Sequence, residues 1–282
     1  MAENRDIPYV LRRREAEIAA FLGDRTRHKN VLLVEGARQV GKTRLVEHAL
    51  GDVAAPTVHL NLERDRRARS EIDACGEFQE FEQLLEDRFG FQGAAGHVLF
   101  IDEAQESSRL GRYVRFMKEE WSHASVILSG SSLTRLFRPG IRYPVGRVKR
   151  MVLGPLCFSE YLRARGQDHL AQAVAAGGGT VSPIRHQHLL EHLDSFLMTG
   201  GLPAVVLRPA GEQGAPEMLA DIFADYEEDF RRISGEQTAH LAKACLRSVA
   251  NHLGNVSKNT SVIPAASGSQ SNRISEAALT HE

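Results

Sequence analysis

The chain has 282 residues, of which 42% are hydrophobic and 25% charged. That is an ordinary globular composition, long enough for one large domain or two smaller ones, and it excludes a wholly disordered chain. Thirty-five lysines and arginines against 36 acids give a formal charge of −1, so no global field would hold the protein on nucleic acid or an anionic membrane, and any such contact must be local.

The first thirty residues carry Arg12, Arg13 and Arg14 but no apolar stretch fit for a signal peptide, and nowhere does an apolar run approach the roughly 20 residues of a membrane span. Cys75, Cys157 and Cys245 are odd in number and far apart, supplying neither a disulfide framework nor a metal-ligand spacing. Both observations predict a cytoplasmic protein without a membrane partner. Residues 31–34 (Val-Leu-Leu-Val) form a short apolar run entered from polar residues and left through Glu35 and Gly36, the pattern of a buried parallel strand. After a glycine-bounded loop, residues 42–50 place Leu45, Val46, Ala49 and Leu50 on one helical face, and Gly51 can end that helix.

Residues 57–62 alternate like a second strand, and Phe78, Phe81, Leu84, Leu85 and Phe89 recur at helical spacing, which predicts a mostly helical segment over 71–90. A third strand is predicted at 97–101, ending in Asp102 and Glu103. A helix follows in which Leu110, Val114, Met117 and Trp121 pack inward. Residues 125–128 repeat the strand signal and residues 151–153 supply one more. Strands alternating with helices predict an α/β fold with a parallel sheet. From Ser159 the alternation stops, and helices are predicted at 159–175, 184–198 and 215–233, separated by the glycines at 177–179 and the turn at 200–203. The domains expected are a core at 1–158, a lid-like helical subdomain at 159–235, and a serine-rich C-terminal region at 236–282, partly disordered.

Gly36, Ala37, Arg38, Gln39, Val40, Gly41, Lys42 and Thr43 fit G-x-x-x-x-G-K-[ST] and lie between a predicted strand and a predicted helix. Glycines let such a loop turn so that successive N–H groups face phosphate oxygens, reinforced by the positive end of the helix dipole. Lys42 would bridge the β- and γ-phosphates, and the Thr43 hydroxyl would take a position on Mg²⁺. Asp102 and Glu103 follow four apolar residues, as a Walker B element requires: Asp102 to hold Mg²⁺ and Glu103 to polarise a water for in-line attack on the γ-phosphate.

Ser129 or Ser131, at the end of the 125–128 strand, can donate to the γ-phosphate or to that water, or can simply belong to a polar turn. Arg135, Arg138, Arg142, Arg147, Lys149 and Arg150 form a basic stretch without an acid. Its readings are a solvated surface, a source of one arginine for phosphate, and a nucleic-acid patch. His186, His188 and His192 include an i,i+4 pair, but nothing nearby supplies further ligands, so a solvated helix face is expected rather than a metal site.

In their order, the motifs at 36–43, at 99–105 (Leu-Phe-Ile-Asp-Glu-Ala-Gln) and at 128–132 (Leu-Ser-Gly-Ser-Ser) resemble a family of prokaryotic AAA-type P-loop ATPases in which an ATPase core precedes a C-terminal domain of unknown function. Gly146-Arg147, residues 153–161 and Gly200-Gly-Leu-Pro203 resemble the same pattern, and the likeness runs from about residue 8 to residue 235. The resemblance implies the sheet order 5-1-4-3-2, ATP rather than GTP as the nucleotide, Mg²⁺ as the metal, and Arg147 as a finger or sensor. It also implies that this chain stops short of a complete C-terminal domain, as a truncated or frameshifted product. The function expected is MgATP hydrolysis driving a conformational change in an attached domain or partner, with a homo-oligomer and a protein or DNA client open. The alternative is a nucleotide-dependent binding switch, on DNA, with little turnover.

Overall fold

The structure, a computed structural model, describes residues 8–24, 30–121, 123–137, 146, 148–177, 181–208 and 214–251. Two compact units divide between residues 209 and 210. The first opens with α1 (Glu15–Gly23), then alternates β1 (Val31–Glu35), α2 (Lys42–Gly51), β2 (Thr57–Asn61), α3 (Arg66–Ala74), α4 (Phe78–Phe89), β3 (Val98–Asp102), α5 (Leu110–Glu120), β4 (Ser125–Gly130) and β5 (Val148–Val152). It continues through α6 (Phe158–Ala164), α7 (Asp168–Ala176), α8 (Pro183–Thr199) and the short α9 (Pro203–Val206).

All four strand pairings are parallel, and the sheet runs β2-β3-β4-β1-β5. This is the expected order 5-1-4-3-2 seen from the other edge, in an α/β P-loop architecture. Helices cover both faces, which is why β1, β3 and β4 are apolar almost throughout rather than alternating. Leu32, Val34, Phe100 and Ile127 pack with Ile18, Phe21, Leu45 and Val46 on one side. Leu33, Leu99, Ile101 and Leu128 pack on the other with Phe81 and Leu85 from α4 and Val114 and Met117 from α5. The period-2 alternation of side chains thus divides one continuous apolar strand between two cores.

The segment over 71–90 is mostly helical, as expected, and consists of the end of α3 and all of α4, because the chain leaves α3 at Cys75 with an extended backbone. The Cys75 carbonyl thereby accepts hydrogen bonds from the Tyr113 hydroxyl (2.6 Å) and Arg109 Nη1 (3.0 Å). The helix expected over 159–175 breaks at Gly166, whose φ is 71°, a conformation that favours glycine. β5 begins three residues before the expected 151, since as an edge strand it buries only Val148 and Met151 and carries Lys149 and Arg150 between them.

Helices α6 to α9 belong to the same unit as the sheet, and Leu156, Tyr161 and Val206 join Val10 of the N-terminal segment in one buried cluster. The second unit contains α10 (Ala215–Ser234) and α11 (Glu236–Asn251), paired as a helical hairpin around Gly235, where φ is 84°. Part of the region expected as a partly disordered C-terminal segment, 236–251, is therefore helix. The rest of it lies outside the described residues. Among the described residues no helix is long and apolar enough to cross a membrane.

Candidate functional site

β1 delivers the chain to Gly36 at the edge of the sheet where β3 and β4 also end. A Cβ on Gly36 would lie 2.1 Å from the carbonyl oxygen of Leu153, so glycine is required for β5's exit to pass this close. The Leu153 N–H donates to the Glu35 carbonyl at 2.7 Å just before the loop. Within the loop Gln39 and Gly41 have φ values of 64° and 92°. Left-handed residues of this kind turn backbone N–H groups into a concave, anion-binding nest, and Gly41 leads directly into α2, adding the positive end of a helix dipole.

Lys42 turns back over the loop. Its Nζ donates to the carbonyls of Gly36 and Ala37, both at 2.9 Å, and the residue is 5% exposed. Burial pushes its ammonium below the usual lysine range, opposed by the nearby charges of Glu103 and Asp102. Lys42 therefore holds itself over the loop through two neutral carbonyls, which a phosphate's charged oxygens would outcompete.

Asp102 is the polar centre of the sheet edge. It is 1% exposed, and three groups on three elements donate to its carboxylate. Thr43 Oγ1 reaches Oδ2 at 2.8 Å, Asn61 Nδ2 reaches Oδ2 at 2.9 Å, and Ser129 Oγ donates to Oδ1. The register explains the convergence: Asn61 at the end of β2 is the cross-strand partner of Asp102, and β4 carries Ser129 alongside on the other flank. The Thr43–Asp102 contact joins the two residues expected to hold Mg²⁺, and this all-oxygen pair suits a hard cation. Ser131 lies just past β4 and is half-buried, whereas Ser129 is fully buried against Asp102.

Glu103 has a left-handed backbone (φ 50°, ψ 45°), which turns its side chain away from the line of β3. Its Oε2 accepts from Gln105 Nε2 at 2.6 Å. Burial raises the carboxyl above its usual range, an effect that the Gln105 bond and the charge of Lys42 oppose. The loop, Lys42, Thr43, Asp102 and Glu103 thus meet at one edge, while Arg147, Arg138 and Arg142 lie outside the described residues. Of the basic stretch, Arg150 pairs with Glu35 through Nε at 2.9 Å. On α8, His186 and His188 lie exposed and His192 half-buried, and among the described residues no group of three or more His, Cys, Asp or Glu could hold a metal.

Arg12 had no place in the sequence reading. Its side chain is 5% exposed, and it joins three distant segments. Nη1 donates to the Val40 carbonyl inside the phosphate loop at 2.8 Å, and Nη2 donates to Gly154 O at 2.7 Å and Pro155 O at 3.2 Å. Its Nε lies 3.2 Å from Glu160 Oε2, a charge contact without the alignment of a hydrogen bond. Glu160 also accepts from the N–H groups of Arg13 (2.7 Å) and Cys157 (3.0 Å). Burial would raise the Glu160 carboxyl, but those two amides and the guanidinium together hold it below its usual range.

Residues 28–162 match the AAA_14 family, described as an AAA domain. This segment is an AAA-type P-loop domain. A Walker-type ATPase from Pyrococcus abyssi shares the fold: it aligns with 18% identity over 86% of this chain and 80% of its own length, at a TM-score of 0.54. A chain from the structure of Drosophila ORC bound to DNA aligns with 14% identity over 88% of this chain and 75% of its own, at a TM-score of 0.43. No curated protein matches the chain. The AAA domain spans every residue of the sheet-edge site, whereas Arg12 lies before it.

Proposed function

We propose that the AAA domain binds ATP with Mg²⁺ and hydrolyses it, and that the cycle drives a conformational change in an attached domain or partner. The observation that carries this reading is the Thr43–Asp102 contact beside a lysine-capped phosphate loop, with a carboxylate at the next position. Bound MgATP would supply the scissile γ-phosphoryl group and a divalent charge that spreads over its oxygens. The loop amides of residues 36–43 and Lys42 bind the phosphates, while Thr43 and Asp102 hold the cation. Glu103, adjacent to Asp102 but turned away by its backbone, accepts the proton of the attacking water at its carboxylate. Ser131 and Arg147 are assigned to the γ-phosphate, Arg147 as a finger or sensor.

A homo-oligomer that supplies Arg147 across a subunit boundary, and a location in the reducing cytoplasm, complete the reading. The test is ATP hydrolysis by the purified chain at several protein concentrations, with and without DNA, for the wild type and Glu103→Gln. Turnover that falls by about 100-fold or more in Glu103→Gln, with ATP still bound, supports the assignment. Turnover retained in that variant removes Glu103 from the chemistry. Specific activity rising with protein concentration supports assembly. Nucleotide-dependent DNA retention without turnover would favour the switch instead.

A further inference from the structure

Gln105 is 3% exposed, lies in the 3-10 turn over residues 104–106 just after β3, and uses only half of its amide. Its Nε2 donates to Glu103 Oε2 at 2.6 Å, while its Oε1 is buried without a hydrogen-bond partner. The opposite amide orientation would bring an oxygen against the carboxylate, so the donor must face Glu103 and the acceptor is left facing Gly130. Leaving a buried acceptor unpaired is unfavourable, a cost that a merely space-filling residue would not carry.

Gly130 provides the room. A Cβ there would lie 1.9 Å from Gln105 Oε1 and 2.8 Å from Leu133 Cδ2, both the ends of flexible side chains. The glycine in Leu-Ser-Gly-Ser-Ser thus has a steric reason: the last residue of β4 is the seat on which the Gln105 amide rests. The residues on either side of that seat are Ser129, which donates to Asp102, and Ser131, assigned to the γ-phosphate.

We infer that Gln105 is the positioning residue for Glu103, seated on Gly130, so that the Glu103 carboxylate is oriented only while the end of β4 is in place. Gln105 touches none of the reacting atoms and acts through Glu103 alone. The end of β4 therefore controls the orientation of the attacking-water carboxylate at the end of the adjacent strand β3, through one amide. The inference rests on the reading of Glu103 as the proton acceptor and adds how that group is regulated.

The test uses the full chain and four variants beside Glu103→Gln. Gln105→Ala removes the amide; Gln105→Glu keeps its size but replaces the donor with an oxygen. Gly130→Ala leaves Gln105 chemically intact and pushes it off its seat, and the fourth variant is Gln105→Ala/Gly130→Ala. Each single variant is expected to lower kcat by about 10- to 100-fold, the scale of a misaligned catalytic group, while KM for ATP stays within about threefold. The double variant should be no slower than Gln105→Ala, because the alanine at 130 then has no amide to displace. The thermal midpoint read from Trp121 fluorescence and the affinity for ATP confirm that each variant is folded.

Unchanged kcat in Gln105→Glu, losses in kcat matched by losses in ATP affinity, or additive losses in the double variant would each overturn the inference. Glu103→Gln separates the two levels. If it retains turnover, the reading of Glu103 fails and the inference falls with it. If it abolishes turnover while the Gln105 variants do not lower kcat, the inference alone fails.

Discussion

Replacing Arg12 with alanine should unfold the first unit at markedly lower temperature, by an amount that follows from what the guanidinium touches. Arg12 and Glu160 side chains are both 5% exposed, so deleting the cation strands a buried carboxylate, a change that costs about 3–5 kcal/mol when one partner of a buried pair is removed. Glu160 keeps its bonds from Arg13 and Cys157, which favours the lower part of that range. The Val40 and Gly154 carbonyls lose their donors, however, and each such loss adds about 1 kcal/mol. The sum stays near 3–5 kcal/mol. For a unit of this size about 2–4 °C per kcal/mol is expected, giving a fall of about 6–20 °C. Trp121 is the single tryptophan of the chain, is 1% exposed and belongs to the same unit, so its fluorescence follows this transition alone. Arg12→Lys should recover little, since one ammonium cannot span acceptors in three segments. Arg12→Ala/Glu160→Gln should be less destabilised than the sum of its single variants, because the stranded charge is gone. A midpoint within about 2 °C of wild type for Arg12→Ala, or strict additivity in the double variant, would refute the buried-pair account.

Lys42→Ala removes the ammonium that caps the phosphate loop through the carbonyls of Gly36 and Ala37. MgATP affinity measured with a fluorescent nucleotide should then fall by about 30-fold or more, corresponding to the roughly 2–5 kcal/mol of a truncated buried charge contact. Gly36→Ala places a Cβ 2.1 Å from a backbone oxygen that cannot swing aside, so β5's exit must move; Trp121 fluorescence should show a loss of about 1–3 kcal/mol, accompanied by weaker nucleotide binding. Glu160 is held below its ordinary carboxyl value in the folded chain, so its stabilisation is fully present above the unfolded value of about 4.3 and is lost as pH falls through the lower folded value. Acid unfolding of Glu160→Gln should accordingly depend less steeply on pH than that of the wild type over this window.

The fold was legible where one apolar run sufficed to define an element. β1, β3 and β4 are short stretches of valine, leucine, isoleucine and, in β3, Phe100, bounded by polar residues, and α5 places Leu110, Val114 and Met117 on one face. β5 was misplaced because an edge strand needs only two inward residues, and Lys149 and Arg150 hide its alternation. The break at Cys75 depends on a carbonyl accepting from Tyr113, 38 residues away, which no local period encodes. α1 escaped because it is nine residues long, too short for a strong period, and buries only Ile18 and Phe21. The grouping of α10 with α11 rather than with α6 to α9 is likewise a matter of packing partners: each of these helices has an ordinary amphipathic pattern, and the pattern does not say which neighbour it meets.

The candidate site divides in the same physical way. The phosphate loop is legible because its chemistry is local: eight consecutive residues bring their own glycines, lysine and threonine, and the strand before them and the helix after them set the direction. Asp102 and Glu103 are legible as acids at a strand end, but their supports are not. Asn61 becomes a partner of the Asp102 carboxylate only because β2 pairs beside β3 in a register that sets it opposite Asp102, and an asparagine at the end of a strand has no such meaning until that neighbour is known. Gln105 sits two residues from Glu103 and closes the motif at 99–105, yet its use depends on the glycine at 130. Arg12 is the extreme case. Its partner Glu160 stands 148 positions later, and three adjacent arginines give no reason to choose the middle one's neighbour over the others. The arginine at 12 is chosen by burial, because it alone of the three has a side chain enclosed by the loop carbonyl of Val40 and the exit of β5. The sequence therefore displays groups suited to contact nucleotide, whereas the groups that hold them in place appear only when distant strand ends are brought together.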